Sequence, residues 1–171
     1  HQACRSGKIQ YFQTLLSSLP ESLRLQVVTM VDGEGKTLLH CAARSGRVDS
    51  VKVILSLYSK LQHSQDIHSR DHTGATILHY AVEARNFETI KFILNLWPES
   101  HRLQALAIPD RNGRTALLRT VRKLCIKPET MTRILNLWPE SQRLQAVITP
   151  GHDGVTVLHE TAHAFHTGVT K

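Results

Sequence analysis

The chain has 171 residues, 41% hydrophobic and 20% charged, the profile of a folded globular protein rather than a disordered one. Its formal net charge of +7, with a pI near 9.7, disfavours a basic partner and admits an acidic protein surface, nucleic acid or anionic lipid. No apolar run reaches the roughly 18 residues that span a bilayer, and three widely spaced cysteines (Cys4, Cys41, Cys125) fit a reducing compartment better than a disulfide framework.

In chain order, His1-Gln2-Ala3-Cys4-Arg5-Ser6-Gly7 matches His40-Cys41-Ala42-Ala43-Arg44-Ser45-Gly46, so the chain opens inside a helix that is met again later. Lys8 to Ser18 carries Ile9, Phe12, Leu15, Leu16 and, just beyond, Leu19 at three-to-four spacing, which predicts an outer helix with one buried stripe. Pro20-Glu21-Ser22 then starts a further helix. Proline suits the first helical position, and an acidic residue there complements the helix dipole.

Gly35-Lys36-Thr37-Leu38-Leu39-His40-Cys41-Ala42-Ala43 opens the next unit. Thr37 is placed to cap a helix with its hydroxyl, and Gly46 to end it in a left-handed turn. Val48, Val51, Val53, Ile54, Leu55 and Leu57 line the outer helix after it. Lys60 to His68 lacks the Pro-Glu-Ser start and reads as a loop or a poorer helix.

Gly74-Ala75-Thr76-Ile77-Leu78-His79-Tyr80-Ala81 repeats the pattern 39 residues on, followed by Phe87, Ile90, Ile93, Leu94 and Leu96. Gly113-Arg114-Thr115-Ala116-Leu117-Leu118 repeats it after another 39, with Leu118 in place of histidine. There Lys123-Leu124 replaces the small residue and glycine between the helices, and Pro128 is expected near the start of the outer one. The last copy, Gly154-Val155-Thr156-Val157-Leu158-His159, comes after 41 residues, and the two-residue excess is expected in the Lys123-Leu124 turn. Its helix should run to about Phe165, with Gly168 to Lys171 fraying.

The Pro20 segment also returns, as Pro98-Glu99-Ser100-His101-Arg102-Leu103-Gln104 and Pro139-Glu140-Ser141-Gln142-Arg143-Leu144-Gln145. The added length of each unit is therefore a short third helix, with Trp97 and Trp138 packed under its turn rather than stacked on a ligand.

Gly-x-Thr-x-Leu-His-x-Ala followed by an apolar helix, recurring in register, resembles the ankyrin repeat. The resemblance implies an all-α, ankyrin-type helical solenoid with β-turn fingers, here with a third helix that lengthens each unit beyond the usual 33 or so residues. Residues 1–171 are expected to form a single domain of about four to five units: 1–31 (partial), 32–70, 71–109, 110–150 and 151–171 (partial). No unit buries its own stripes, so stability comes from stacking. Neither end looks like a polar cap, and the start inside a unit reads as a fragment of a longer protein.

His159-Glu160-Thr161-Ala162-His163 matches the H-E-x-x-H zinc signature, with His166 as an imaginable third ligand, and would make the chain a zinc-dependent hydrolase. Against this, His159 is already explained as the repeat partner of His40 and His79, and Thr161 falls where Ala42 and Ala81 sit. In ankyrin-like units this histidine, here His1, His40, His79 and His159, hydrogen-bonds main chain near the fingers. Gly33-Glu34-Gly35 is a finger turn and not a phosphate loop, and neither a nucleophile elbow nor a Cys-x-x-Cys motif occurs. We expect no catalytic residue, no metal and no cofactor.

By register, the resemblance places partner contacts on finger tips and the open side of the inner helices: Lys36, Arg44, His72, Thr73, Glu83, Arg111, Asn112, Arg114, Arg122 and Lys123. Arg111, Arg114, Arg122 and Lys123, with Arg44 and Lys36 two units away, form a basic patch suited to an acidic partner, since the arginine fork pairs with carboxylates. A solvated face with no partner is the plainer alternative. The chain thus reads as a monomeric protein-recognition module without catalysis, located in the cytoplasm. Its Trp-Pro-Glu-Ser-x-Arg-Leu-Gln segments look similar to those of ankyrin-containing effectors that intracellular bacteria deliver into the host cytosol. Binding to anionic lipid or nucleic acid through the basic face is the other alternative, and an aromatic content of 5% without basic runs weighs against it.

Overall fold

The computed structural model describes residues 9–57, 67–124 and 128–168. Among the described residues there are helices, turns and irregular chain, with no strand. The helices are α1 (Ile9–Ser17), α2 (Glu21–Thr29), α3 (Leu38–Arg44), α4 (Val48–Leu57), α5 (Ile77–Glu83), α6 (Phe87–Leu94), α7 (Glu99–Ala107), α8 (Ala116–Leu124), α9 (Pro128–Leu135), α10 (Glu140–Ile148) and α11 (Val157–Gly168).

Each inner helix is preceded by a threonine, in extended conformation at Thr37 and Thr76. The Thr37 hydroxyl accepts the His40 N–H at 3.4 Å, that of Thr115 the Leu118 N–H at 3.2 Å, and that of Thr156 the His159 N–H at 3.4 Å. Such caps satisfy donors that the first helical turn leaves without partners. Gly46, at φ +68°, ends α3, and Arg85 takes the same left-handed conformation after α5 at φ +58°.

The third helices begin at Glu21, Glu99 and Glu140, so Pro20, Pro98 and Pro139 stand one residue before the helix and not at its first position. The arginine of each recurrent segment reaches back. Arg24 Nε donates to the Leu19 carbonyl at 2.8 Å, Arg102 Nε to that of Trp97 at 3.3 Å and Arg143 Nε to that of Trp138 at 3.2 Å. These carbonyls lie just past the outer helices, where acceptors run short of donors and a cation is favoured. The third helix is thus tied by one charged side chain to the end of the helix before it.

Inner helices α3, α5, α8 and α11 pack in that order, and outer helices α1, α4, α6 and α9 form a parallel row behind them. Helix α7 packs on α10, extending the stack as a third layer. The core is one continuous cluster: Leu38, Leu39, Ile77, Leu78, Leu117 and Leu118 from inner helices, Ile54, Ile90, Ile93 and Ile134 from outer ones, and both tryptophans beneath the third. Full burial of one such aliphatic side chain contributes roughly 1.5–3 kcal/mol. This is the ankyrin-type solenoid, with a finger between each third layer and the next inner helix.

Three expectations change. Helix α8 has nine residues where α3 and α5 have seven, so Lys123 and Leu124 are helical and the insertion lengthens the helix rather than the turn. Helix α11 continues to Gly168, past Phe165. Leu15, placed on the buried stripe of α1, is 48% exposed, while Phe12 and Leu16 face the core. Cys41 is buried as a small hydrophobe, whereas His1, Cys4, Cys125 and most of the Lys60–His68 segment lie outside the described residues.

Candidate functional site

Three of the four fingers are each built on one carboxylate, with Gly151 at that position in the fourth. Asp71 Oδ1 accepts the N–H groups of Thr73 and Ala75 at 2.8 and 2.9 Å, and Asp110 Oδ1 those of Asn112 and Arg114 at 2.8 and 3.0 Å. Asp32 does the same for Glu34 and Lys36 at 2.9 and 3.0 Å. Burial disfavours the charged form of Asp71 and Asp110, but these bonds, with those from Tyr80 to Asp71 and from the Arg114 side chain to Asp110, outweigh it and hold both pKa values below the usual carboxylate value. The next finger rests on the last: the His72 N–H donates to the Glu34 carbonyl at 2.9 Å and the Arg111 N–H to that of Thr73 at 2.8 Å.

His40 and His79 join each inner helix to the finger ahead of it. His40 Nδ1 accepts the Thr37 N–H at 3.2 Å while Nε2 meets the Ala75 carbonyl at 3.2 Å. His79 accepts the Thr76 N–H at 3.0 Å and meets the Arg114 carbonyl at 3.0 Å. A main-chain N–H can only donate and a carbonyl only accept, so each ring is neutral with its proton on Nε2. Burial depresses both pKa values, that of His79 to about 4. Leu118 makes no such bond. It is buried at the same register, and within the described structure the Val155 carbonyl receives the Gly151 N–H of its own finger at 2.8 Å.

Tyr80 lies at the centre of the inner-helix face, 4% exposed, its hydroxyl donating to Asp71 Oδ2 at 2.5 Å. Three cations gather around its ring, with Lys36 Nζ, Arg44 Cζ and Arg119 Cζ at 5.5, 5.9 and 5.8 Å from the centroid, and His40 meets it edge-on at 5.6 Å. Arg119 is 8% exposed. Its Nε lies 3.1 Å from Glu83 Oε1 and 4.0 Å from Asp110 Oδ2, and its Nη1 is buried without an acceptor among the described residues.

The ten residues expected to contact a partner fall into three groups. Arg44, His72, Thr73, Arg111 and Asn112 are exposed. Lys36 is only 5% exposed and ion-paired with Glu34, Arg114 is ion-paired with Asp110 at 3.0 Å, and Glu83 is paired with Arg119. Expected at the surface, Lys36 is instead buried, with its Nζ over the ring of Tyr80 in the next unit. Arg122 and Lys123 are on α8, with side chains outside the described set. Two cations of the basic patch, Lys36 and Arg114, are therefore balanced locally.

His159 and His163 sit on α11 and both are exposed, with His159 Nδ1 accepting the Thr156 N–H at 3.3 Å. Among the described residues no group of three or more His, Cys, Asp or Glu side chains comes together as a metal site. The finger aspartates Asp32, Asp71 and Asp110, and Arg119, were not singled out by sequence. The aspartates recur at the 39-residue period, a signal that was present, whereas nothing in the local pattern marks Arg119 as buried.

Comparison with known proteins gives one family: the model for ankyrin repeats (many copies) matches residues 1–55. No curated protein matches the chain.

Proposed function

We propose that this ankyrin-repeat chain recognises another protein through its finger tips and the open side of its inner helices, with no catalysis of its own. Ankyrin repeats serve in general as protein-interaction modules, and the one observation that carries the reading further is a contrast along the stack. The framework residues recur and are buried, while the exposed finger positions change from unit to unit: Glu34, Thr73, Asn112 and Asp153 in one row, His72, Arg111 and His152 in another. A surface fitted to a partner varies in this way on a constant scaffold.

The exposed cations Arg44 and Arg111, with Arg122 and Lys123 on α8, favour an acidic partner surface. The module is a single domain of four to five units acting as a monomer. The Trp-Pro-Glu-Ser-x-Arg-Leu-Gln segments support a place in a bacterial effector acting in a host cytosol. No helix among the described residues is long and apolar enough to cross a membrane.

The test compares immobilised chain with an Arg111→Glu/Arg122→Glu variant for capture from host-cell lysate, with bound proteins identified by mass spectrometry. A partner held by the parent and lost by the variant, at matching thermal midpoints, supports the reading. Full retention by the variant removes the basic face from it.

A further inference from the structure

A depression of about 580 Å³ lies along the fingers and not over the inner helices. Arg70, His72, Arg111 and His152 line it together with Asp71 and Asp110. The two carboxylates are buried and turned inward, their oxygens taken by main-chain N–H groups of their own fingers, by the Tyr80 hydroxyl and by Arg114. The exposed side chains that line the depression are thus the four basic ones.

These side chains are also held in place. Arg70 spans two fingers, donating from Nε to the Gly74 carbonyl at 2.9 Å and from Nη2 to the Pro109 carbonyl. His72, Arg111 and His152 occupy one register position in successive fingers, and each rests on the glycine of the finger before it, Gly35, Gly74 and Gly113. A side chain whose backbone is fixed loses less freedom on binding, and the two arginines in a concave setting raise the local concentration of an anionic ligand.

We propose that this finger-edge depression binds an extended acidic segment of a partner protein, its carboxylates facing Arg111, Arg70 and the two histidines in turn. The proposal rests on the protein-recognition reading above and names the chemistry of one contact within it. A row of arginine and imidazole side chains spaced finger by finger offers hydrogen-bond donors to carboxylates spaced along an extended peptide, with the fixed charge supplied by Arg70 and Arg111.

The probe is a fluorescein-labelled hexaglutamate peptide, followed by anisotropy at low ionic strength, with hexaglutamine and a hexathymidylate as parallel arms. Hexaglutamate is expected to bind in preference to both. Arg111→Gln/His152→Gln should weaken it by about tenfold or more, Arg111→Lys/His152→Lys should recover most of that loss, and Lys52→Gln/Lys91→Gln on the outer helices should change it by less than about twofold. Absence of hexaglutamate binding, equal weakening by the two glutamine doubles, or equal binding of the thymidylate would each overturn the proposal. Those outcomes leave lysate capture unaffected, so this contact can fail while protein recognition stands.

Discussion

His40 Nε2 donates to the carbonyl of Ala75, 35 residues further along, at 3.2 Å, so the first inner helix of the described stack is bonded to a finger it does not belong to. The bond needs a neutral ring whose Nδ1 also accepts a main-chain N–H. The same holds for His79 and Arg114, and acid therefore acts on the seams between units. Each histidine has a folded pKa below its ordinary 6.5, so between those values the unfolded chain takes up the proton and the folded chain does not. Their contribution is complete above about pH 6.5 and is lost as pH falls, for His79 down to about 4. At about 1.4 kcal/mol per pKa unit, His79 alone accounts for a loss on the order of 3 kcal/mol. Chemical denaturation at pH 7, 5.5 and 4.5 should show falling stability, and a His79→Leu variant should show a shallower fall. The aspartates, with lowered pKa values, act below this window.

Gly113 and Gly154 have nearly the same backbone conformation, φ +73° and +72°, but different surroundings. A Cβ on Gly113 would run into the Cβ and main-chain N of His152, whereas one on Gly154 meets nothing within 4 Å. Gly154→Ala should cost only the left-handed penalty, about 1–2 kcal/mol. Gly113→Ala should cost at least about 2 kcal/mol more, because the next finger must move. Equal losses in a denaturant titration would show that the fingers are not seated on one another.

Trp97 and Trp138 fill the same place in successive units but end differently. Trp97 Nε1 donates to His68 Nε2 at 3.3 Å, while Trp138 Nε1 is buried without an acceptor among the described residues. The residue 39 positions after His68 is Ala107, which has no acceptor in its side chain. Ala107→His is expected to supply one and to stabilise the protein by about 0.5–1.5 kcal/mol, read as a higher denaturant midpoint with an unchanged slope.

The Glu83–Arg119 pair should be sensitive to removal of either member, since both side chains are about 10% exposed. Glu83→Gln leaves a buried guanidinium with Asp110 at 4.0 Å as its remaining carboxylate, and should cost about 2–3 kcal/mol. Arg119→Met strips the Glu83 carboxylate, whose side chain is only 11% exposed, of this cation and should cost a similar amount, about 2–3 kcal/mol. Thermal midpoints of the two variants and the double mutant give the coupling directly.

The layout of the stack was legible because its signals are local and recur. Thr37, Gly46, Pro98 and the leucines of the inner helices each act within one turn of their own position, so their meaning survives without coordinates. Lys36 and Arg119 were misplaced or missed for the opposite reason. Both are buried with their charged ends over the ring of Tyr80, which belongs to a different unit from either, and a polar residue in sequence carries no mark of a neighbour 39 or more positions away. The finger aspartates could have been read from the period, but attention to variable tips passes over the constant residue beside them. The Arg102 and Arg143 back-bonds explain why the Pro-Glu-Ser segment recurs with its arginine, a relation visible only once the preceding helix end is in place.

Leu118 has no proton to gain or lose. Where His40 and His79 make two successive seams answer to acidity, the seam at Leu118 is insensitive to it and is held by packing alone at that position. Mild acid therefore does not loosen the solenoid evenly. It parts the earlier seams first, and one aliphatic residue decides where a chain of near-identical links begins to open.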